Sequence, residues 1–199
     1  MGFSGNSLSA DTSKNILRAG FTLFILFAHH YESKEQLGAL TDEGQALARS
    51  SQFASGMPVV VSADQEGGRV ARFRNGFTIL PPAGKVGDKG SPNYAFELAK
   101  IQARELHAAG IQLNYAPVCD INTNPKNPVI GDRAYGSQED VVTRMVTASV
   151  RGHLLEKVEP CIKHFPGHGD MHLDVHLSLP EVDTPLKTFK TREWVPFHK

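Results

Sequence analysis

The chain alternates short apolar runs with longer amphipathic stretches, and the runs have the composition of strands covered on both faces. They span 21–28, 58–63, 111–118 and 160–164, are rich in β-branched and aromatic residues, and lack strict apolar–polar alternation. Stretches of helical period lie between them at 33–52, 92–109 and 138–157. Ser91 and Ser137 are placed as N-caps of the last two, and Gly110 stops the second. This strand–helix–strand rhythm predicts an α/β fold with a parallel sheet and helices outside, either a (β/α)-barrel or an open doubly wound sheet. The Gly67–Gly68 pair lacks G-x-G-x-x-G spacing and opens no clear helix, which weakens the dinucleotide-binding form of the open sheet. The Pro/Gly-rich stretch 81–93 reads as a loop within one domain, and no repeat or low-complexity tract divides residues 1–199.

Polar residues follow the runs consistently. Asp64 comes after the second, Asn114 to Asp120 lie at the third, and Lys163 and His164 end the fourth. In a barrel, the C-terminal ends of the strands form the active face.

The densest chemistry lies at 161–180, CIKHFPGHGDMHLDVHLSLP, with His164, His168, His172 and His176 beside Asp170, Asp174 and Lys163. Histidine titrates nearest neutrality, so such a cluster points to proton transfer or metal binding. A repeat of four would stack the imidazoles on a helix face as metal ligands, but Pro166, Gly167 and Gly169 break that helix. The segment reads as a strand end running into a long polar loop, with no cysteine or H-E-x-x-H arrangement to support zinc. Within it, Asp174 and His176 form a D-x-H pair; in extended backbone both point to one side, so the carboxylate orients the imidazole and favours its protonated form.

Composition excludes more than it identifies. Twenty-one basic residues balance twenty-one acidic ones, so there is no basic patch for nucleic acid and no acidic tail. Cys119 and Cys161 lie in apolar, strand-like surroundings and read as reduced, buried thiols of a cytosolic protein. Residues 1–10 show no export signal, and the apolar run 20–28 is about half the length needed to span a bilayer. The expected location is cytoplasmic, with no membrane partner.

The stretch K-H-F-P-G-H-G followed by D-x-H at 174–176 resembles the signature of the bacterial β-N-acetylhexosaminidases of glycoside hydrolase family 3. Three further segments are similar to that family in the same order: VVVSADQEGGRVARF at 59–73, NYAPVCDINTNPKNPVIGDRAYG at 114–136 and LSLPEVDTP at 177–185. The resemblance implies a (β/α)8 barrel of TIM type, no cofactor or metal, and removal of a terminal, non-reducing β-linked N-acetylglucosamine with retention. Peptidoglycan fragments and muropeptides of cell-wall recycling are the implied substrates. It also implies that Asp64, Arg72, Arg133, Lys163 and His164 bind the sugar, and that His176 is the general acid/base with Asp174 stabilising its imidazolium. A histidine acid departs from the usual two-carboxylate scheme. Taken singly, the arginines could equally form salt bridges, Arg72 with Glu66 or Arg133 with Asp132. Glu66 reads as structural, bonding the amides of its own Gly–Gly turn.

The family's nucleophile is an aspartate in a serine–aspartate–aspartate segment on a later strand, and these 199 residues hold no such string. A closed barrel needs about 250 residues, so the chain reads as an incomplete barrel, its first strands and helices. Such a piece is expected to be catalytically silent alone and prone to self-association or dependent on a complementing C-terminal segment. Two other functions stay open: a non-catalytic sugar-binding remnant, and a metal-binding protein using the histidine loop, to which Asp170 and His172 add donors beyond the dyad.

Overall fold

The computed structural model describes residues 4–19, 23–50, 58–171 and 184–198. Helix α1 (Ala10–Ala19) precedes strand β1 (Leu23–Leu26), and α2 (Lys34–Ser50) leads to β2 (Val60–Ala63). A hairpin of β3 (Gln65–Gly67) and β4 (Val70–Ala71) follows, then α3 (Ala83–Gly87), α4 (Pro92–Ala108) and β5 (Leu113–Asn114). Helix α5 (Glu139–Leu155) and β6 (Glu159–Pro160) complete the sheet, and short turns α6 (Leu186–Thr188) and α7 (Val195–His198) flank a π-helical turn at Phe189–Glu193.

The four strands β1-β2-β5-β6 lie side by side in chain order and are all parallel. The α/β class and the parallel sheet expected from the apolar runs are therefore those observed. On one face Phe24 and Leu26 of β1 and Val61 and Ala63 of β2 pack into one core with Leu37 and Leu40 of α2 and Leu106 of α4; β1 alternates, with Leu23 exposed, whereas Ser62 of β2 is buried on the other face as well. A second core joins Val86 of α3 to Ala95 of α4 and Met145 of α5.

Local chemistry sets the helix ends. Ser91 caps α4, its Oγ accepting the Tyr94 N–H at 3.3 Å, with Pro92 in the first turn. Gly110 terminates it with φ +78°, a conformation in which a side chain would also meet the Thr41 hydroxyl. Ser137, expected to cap α5, does not. The helix is entered through Gln138, whose carbonyl accepts the Val142 N–H at 3.1 Å without a side-chain cap, and Glu139 and Asp140 place negative charge in the first turn instead. The stretch 81–93 is not simply a loop, because α3 forms within it. Gly87 serves close packing, since a Cβ there would overlap the Tyr135 carbonyl.

Gly152 marks where α5 crosses α4, since a Cβ there would sit 2.6 Å from the Phe96 carbonyl oxygen and 2.9 Å from Ala99 Cβ. Gly152→Ala is expected to lower stability by about 1–3 kcal/mol, as overpacking of a close helix contact does. Gly136→Ala, whose Cβ meets only Val141 at 3.7 Å, is the control and should shift the urea midpoint little.

Candidate active site

Strand pairing brings the polar residues together. Ala63 pairs with Asn114 and Asn114 with Pro160, so Asp64 and the chain beyond β5 and β6 emerge at the same edge of the sheet. A further parallel bridge joins Val118 to Lys163, with the Cys119 N–H donating to the Lys163 carbonyl at 2.6 Å.

The Lys163 ammonium there contacts two carboxylates, Asp64 Oδ1 and Glu66 Oε1, each at 2.6 Å. Asp64 also takes Arg72 Nη2 at 3.3 Å. Glu66 accepts a two-pronged contact from Arg133, Nε at 2.8 Å and Nη2 at 2.7 Å. Burial pushes the Asp64 carboxyl up, but the hydrogen bond and charge of Lys163, aided by Arg72, outweigh it and hold the group below the ordinary carboxylate range. For Arg133 burial works against the charge, while the Glu66 hydrogen bonds and charge raise its pKa on balance. Glu66 does not bond its turn's amides. Neither of the salt bridges expected for the arginines forms: Arg72 pairs with Asp64, Arg133 with Glu66, and Asp132 turns outward to Arg69 at 3.1 Å.

The second bracket is Asp120, fully buried. It accepts from His164 Nδ1 at 2.6 Å and from the backbone N–H of His168 at 2.6 Å, fixing the start of the histidine-rich segment. Arg133 Nη2 lies 3.3 Å from His164 Nε2. A guanidinium only donates, so that nitrogen accepts and the imidazole proton sits on Nδ1, facing Asp120. Asp64, Arg72, Arg133, Lys163 and His164 thus occupy one cluster, whereas Asp174, His176 and His172 lie outside the described residues.

Asp170 belongs to the scaffold. It accepts from Thr123 Oγ1 at 3.1 Å, Thr184 Oγ1 at 2.6 Å and Arg192 Nη2 at 3.0 Å, and these bonds, that of Thr184 first, hold its pKa low. Among the described residues no three histidine, cysteine, aspartate or glutamate side chains group as a metal site. Cys119 and Cys161 are free thiols, Cys119 buried as expected and Cys161 only half-buried. No helix among the described residues is long and apolar enough to cross a membrane.

Glu66, expected only to bond its own turn's amides, and Asp120, to which the sequence assigns no role, are the two acids that complete the cluster. Glu66 stands two residues from Asp64, a spacing that in extended backbone puts both side chains on one side, so a signal was present. A third bracket lies beneath. Asn114 holds the backbone of Gln65, accepting its N–H at 2.9 Å and donating to its carbonyl at 2.9 Å, while Gln65 Oε1 accepts the Arg72 N–H at 2.8 Å.

The whole chain between residues 4 and 199 matches the model of the glycosyl hydrolase family 3 N-terminal domain. The chain belongs to this family. It is 36% identical to "Beta-hexosaminidase A" of Pseudoalteromonas piscicida over 195 residues, covering 96% of this chain and 32% of the relative. Among solved structures, a glycoside hydrolase family 3 β-N-acetylglucosaminidase from a Paenibacillus species superposes with TM-score 0.94 at 40% identity, over 98% of this chain and 37% of that one. NagZ from Neisseria gonorrhoeae in complex with N-trifluoroacetyl-D-glucosamine does so with TM-score 0.89 at 32% identity, over 98% and 56%. This family 3 domain therefore spans from about a third to just over half the length of these proteins.

His153 supports the Asn114 bracket and gives it a pH dependence. Its Nδ1 faces the Ser149 carbonyl at 2.9 Å and its Nε2 faces Asn114 Nδ2 at 3.0 Å, a pairing that needs the neutral ring. Burial lowers its pKa, against a smaller opposing effect of the Ser149 carbonyl. A base depressed in the folded state binds its proton more readily when unfolded. Its stabilisation is therefore complete above the ordinary histidine value of about 6.5 and is lost as pH falls from there toward the folded pKa. Stability measured by urea between pH 7 and 5 should fall with a slope of up to about 1.4 kcal/mol per unit from this group. His153→Gln should flatten that slope.

Proposed function

We propose that this domain is the N-terminal part of a (β/α)8 barrel of TIM type, residues 1–199 forming one unit of it, in a retaining β-N-acetylhexosaminidase. Its substrate is a terminal, non-reducing N-acetylglucosamine, carried on peptidoglycan fragments in cytoplasmic cell-wall recycling, and no cofactor is required. The observation that supports the reading best is the Asp64–Lys163–Glu66–Arg133 cluster at the strand ends, with the likeness to a relative solved with an N-acylated glucosamine as second support.

The donor and acceptor arithmetic suits a polyol. Lys163 has three N–H donors, of which Asp64 and Glu66 take two. Arg133 has five, of which Glu66, His164 and the Val129 carbonyl take four. Each cation keeps one donor for a sugar oxygen, and Asp64 keeps lone pairs for sugar hydroxyls. In this reading His176 protonates the departing oxygen and later deprotonates water, with Asp174 stabilising the imidazolium. The carboxylate that attacks the anomeric carbon is an aspartate outside these 199 residues.

Titrating the 199-residue chain with N-acetylglucosamine, followed by amide chemical shifts, is expected to give saturable binding. Asp64→Asn should weaken it at least tenfold, in keeping with about 1.5–3 kcal/mol for hydrogen bonds to a charged group. The same chain should leave a chromogenic β-N-acetylglucosaminide unhydrolysed. Absence of binding at millimolar sugar, or turnover that disappears in His176→Ala, would contradict the reading, the first on substrate and the second on the nucleophile.

A further inference from the structure

Glu66 touches the two cations most central to the cluster, yet only 7% of its side chain is exposed and both its oxygens are already engaged. It has little surface to offer a ligand. Its contacts instead fill the side of the Arg133 guanidinium, Nε and Nη2, that presents two parallel donors. That fork is the arrangement that matches a carboxylate or phosphate in two-pronged fashion. Here an internal carboxylate occupies it.

The charges of the cluster close on themselves. Among the described residues, Asp64, Glu66 and Asp120 face Arg72, Lys163 and Arg133, with Asp120 reached through His164. A neutral sugar entering such a site meets one open donor each on Lys163 and Arg133, the donors of Arg72 that Asp64 leaves open, and spare acceptors. An anionic sugar would have to displace Glu66 from Arg133 or sit against carboxylates in a partly desolvated space, where like charges repel strongly.

From this we propose that Glu66 sets the charge selectivity of the site: by saturating the Arg133 fork and sharing Lys163, it reserves the site for uncharged sugars and rejects phosphorylated or uronic ones. The inference rests on the sugar-binding reading above and deepens it. Replacing the carboxylate by an amide of the same shape turns an N–H₂ toward one of the guanidinium donors and leaves the cluster with one positive charge in excess. The vacated charge is one that an anionic substituent can satisfy.

The test compares dissociation constants for N-acetylglucosamine and N-acetylglucosamine 6-phosphate in the 199-residue chain, in Glu66→Gln and in Glu66→Asp, with inorganic phosphate as a third probe. The wild-type chain should prefer the neutral sugar at least tenfold. Glu66→Gln should move the ratio of the two affinities at least tenfold toward the phosphorylated sugar and gain measurable phosphate binding, while Glu66→Asp keeps the wild-type preference. A proportional loss for both sugars in Glu66→Gln, with the ratio unchanged, would make Glu66 a packing residue and overturn the proposal. Equal affinity of the wild-type chain for the two sugars overturns it without any variant, which guards against a Glu66→Gln chain that does not fold. If the wild-type chain binds neither sugar, the substrate reading above has failed; phosphate binding gained only in Glu66→Gln would then still uphold the charge assignment, and its absence would reject that too.

Discussion

One ammonium group bridges two carboxylates at the strand ends, and most of the local architecture follows from that constraint. Lys163 stands 2.6 Å from both Asp64 and Glu66, with only 14% of its side chain exposed. Two like charges brought so close in a half-desolvated space would repel one another unless a cation stood between them. Lys163 therefore has to arrive at a fixed height beside β2. The parallel bridge to Val118 delivers it there, and the backbone bond from Cys119 holds its carbonyl. Arg133 completes the balance on the Glu66 side and Arg72 on the Asp64 side.

The charged groups are kept in place by neutral or fully buried polar ones. Asn114 fixes the backbone of Gln65 between the two carboxylates, and Gln65 in turn receives the Arg72 amide, so the turn carrying both acids is tied to the sheet. Asp120 plays the same part for the loop of His164 and His168. Buried hydrogen bonds of this kind stiffen the site, because losing one member leaves another polar group without a partner. A site assembled this way spends little conformational freedom when a sugar enters.

Much of the frame was legible in the sequence because it depends on local chemistry. The apolar runs located β1 and β2, the Ser91 cap and Gly110 stop bounded α4, and the polar positions after the runs located Asp64 and Lys163. What escaped depends on contacts distant in sequence. Arg133 and Glu66 are 67 residues apart, and nothing near Arg133 distinguishes Glu66 from its neighbour Asp132 as partner. Helix α3 was hidden because the Pro/Gly-rich composition of 81–93 reads as a loop, whereas Gly87 is demanded by the close approach of the Tyr135 backbone. The entry to α5 lies at Gln138, one residue past Ser137, without a side-chain cap and with Glu139 and Asp140 placing favourable charge in the first turn.

The central claim is that Lys163 and the acids it bridges form one energetic unit. A double-mutant cycle of Lys163→Met and Asp64→Asn, measured by urea unfolding at pH 7, tests it most directly. Lys163→Met alone should cost about 3–5 kcal/mol, because it leaves enclosed carboxylates uncompensated. Adding Asp64→Asn should recover part of that loss, giving a coupling energy above about 1.5 kcal/mol. Additivity of the two substitutions to within about 0.5 kcal/mol would show that the residues act independently, and the account of the site as a charge-closed unit would be wrong.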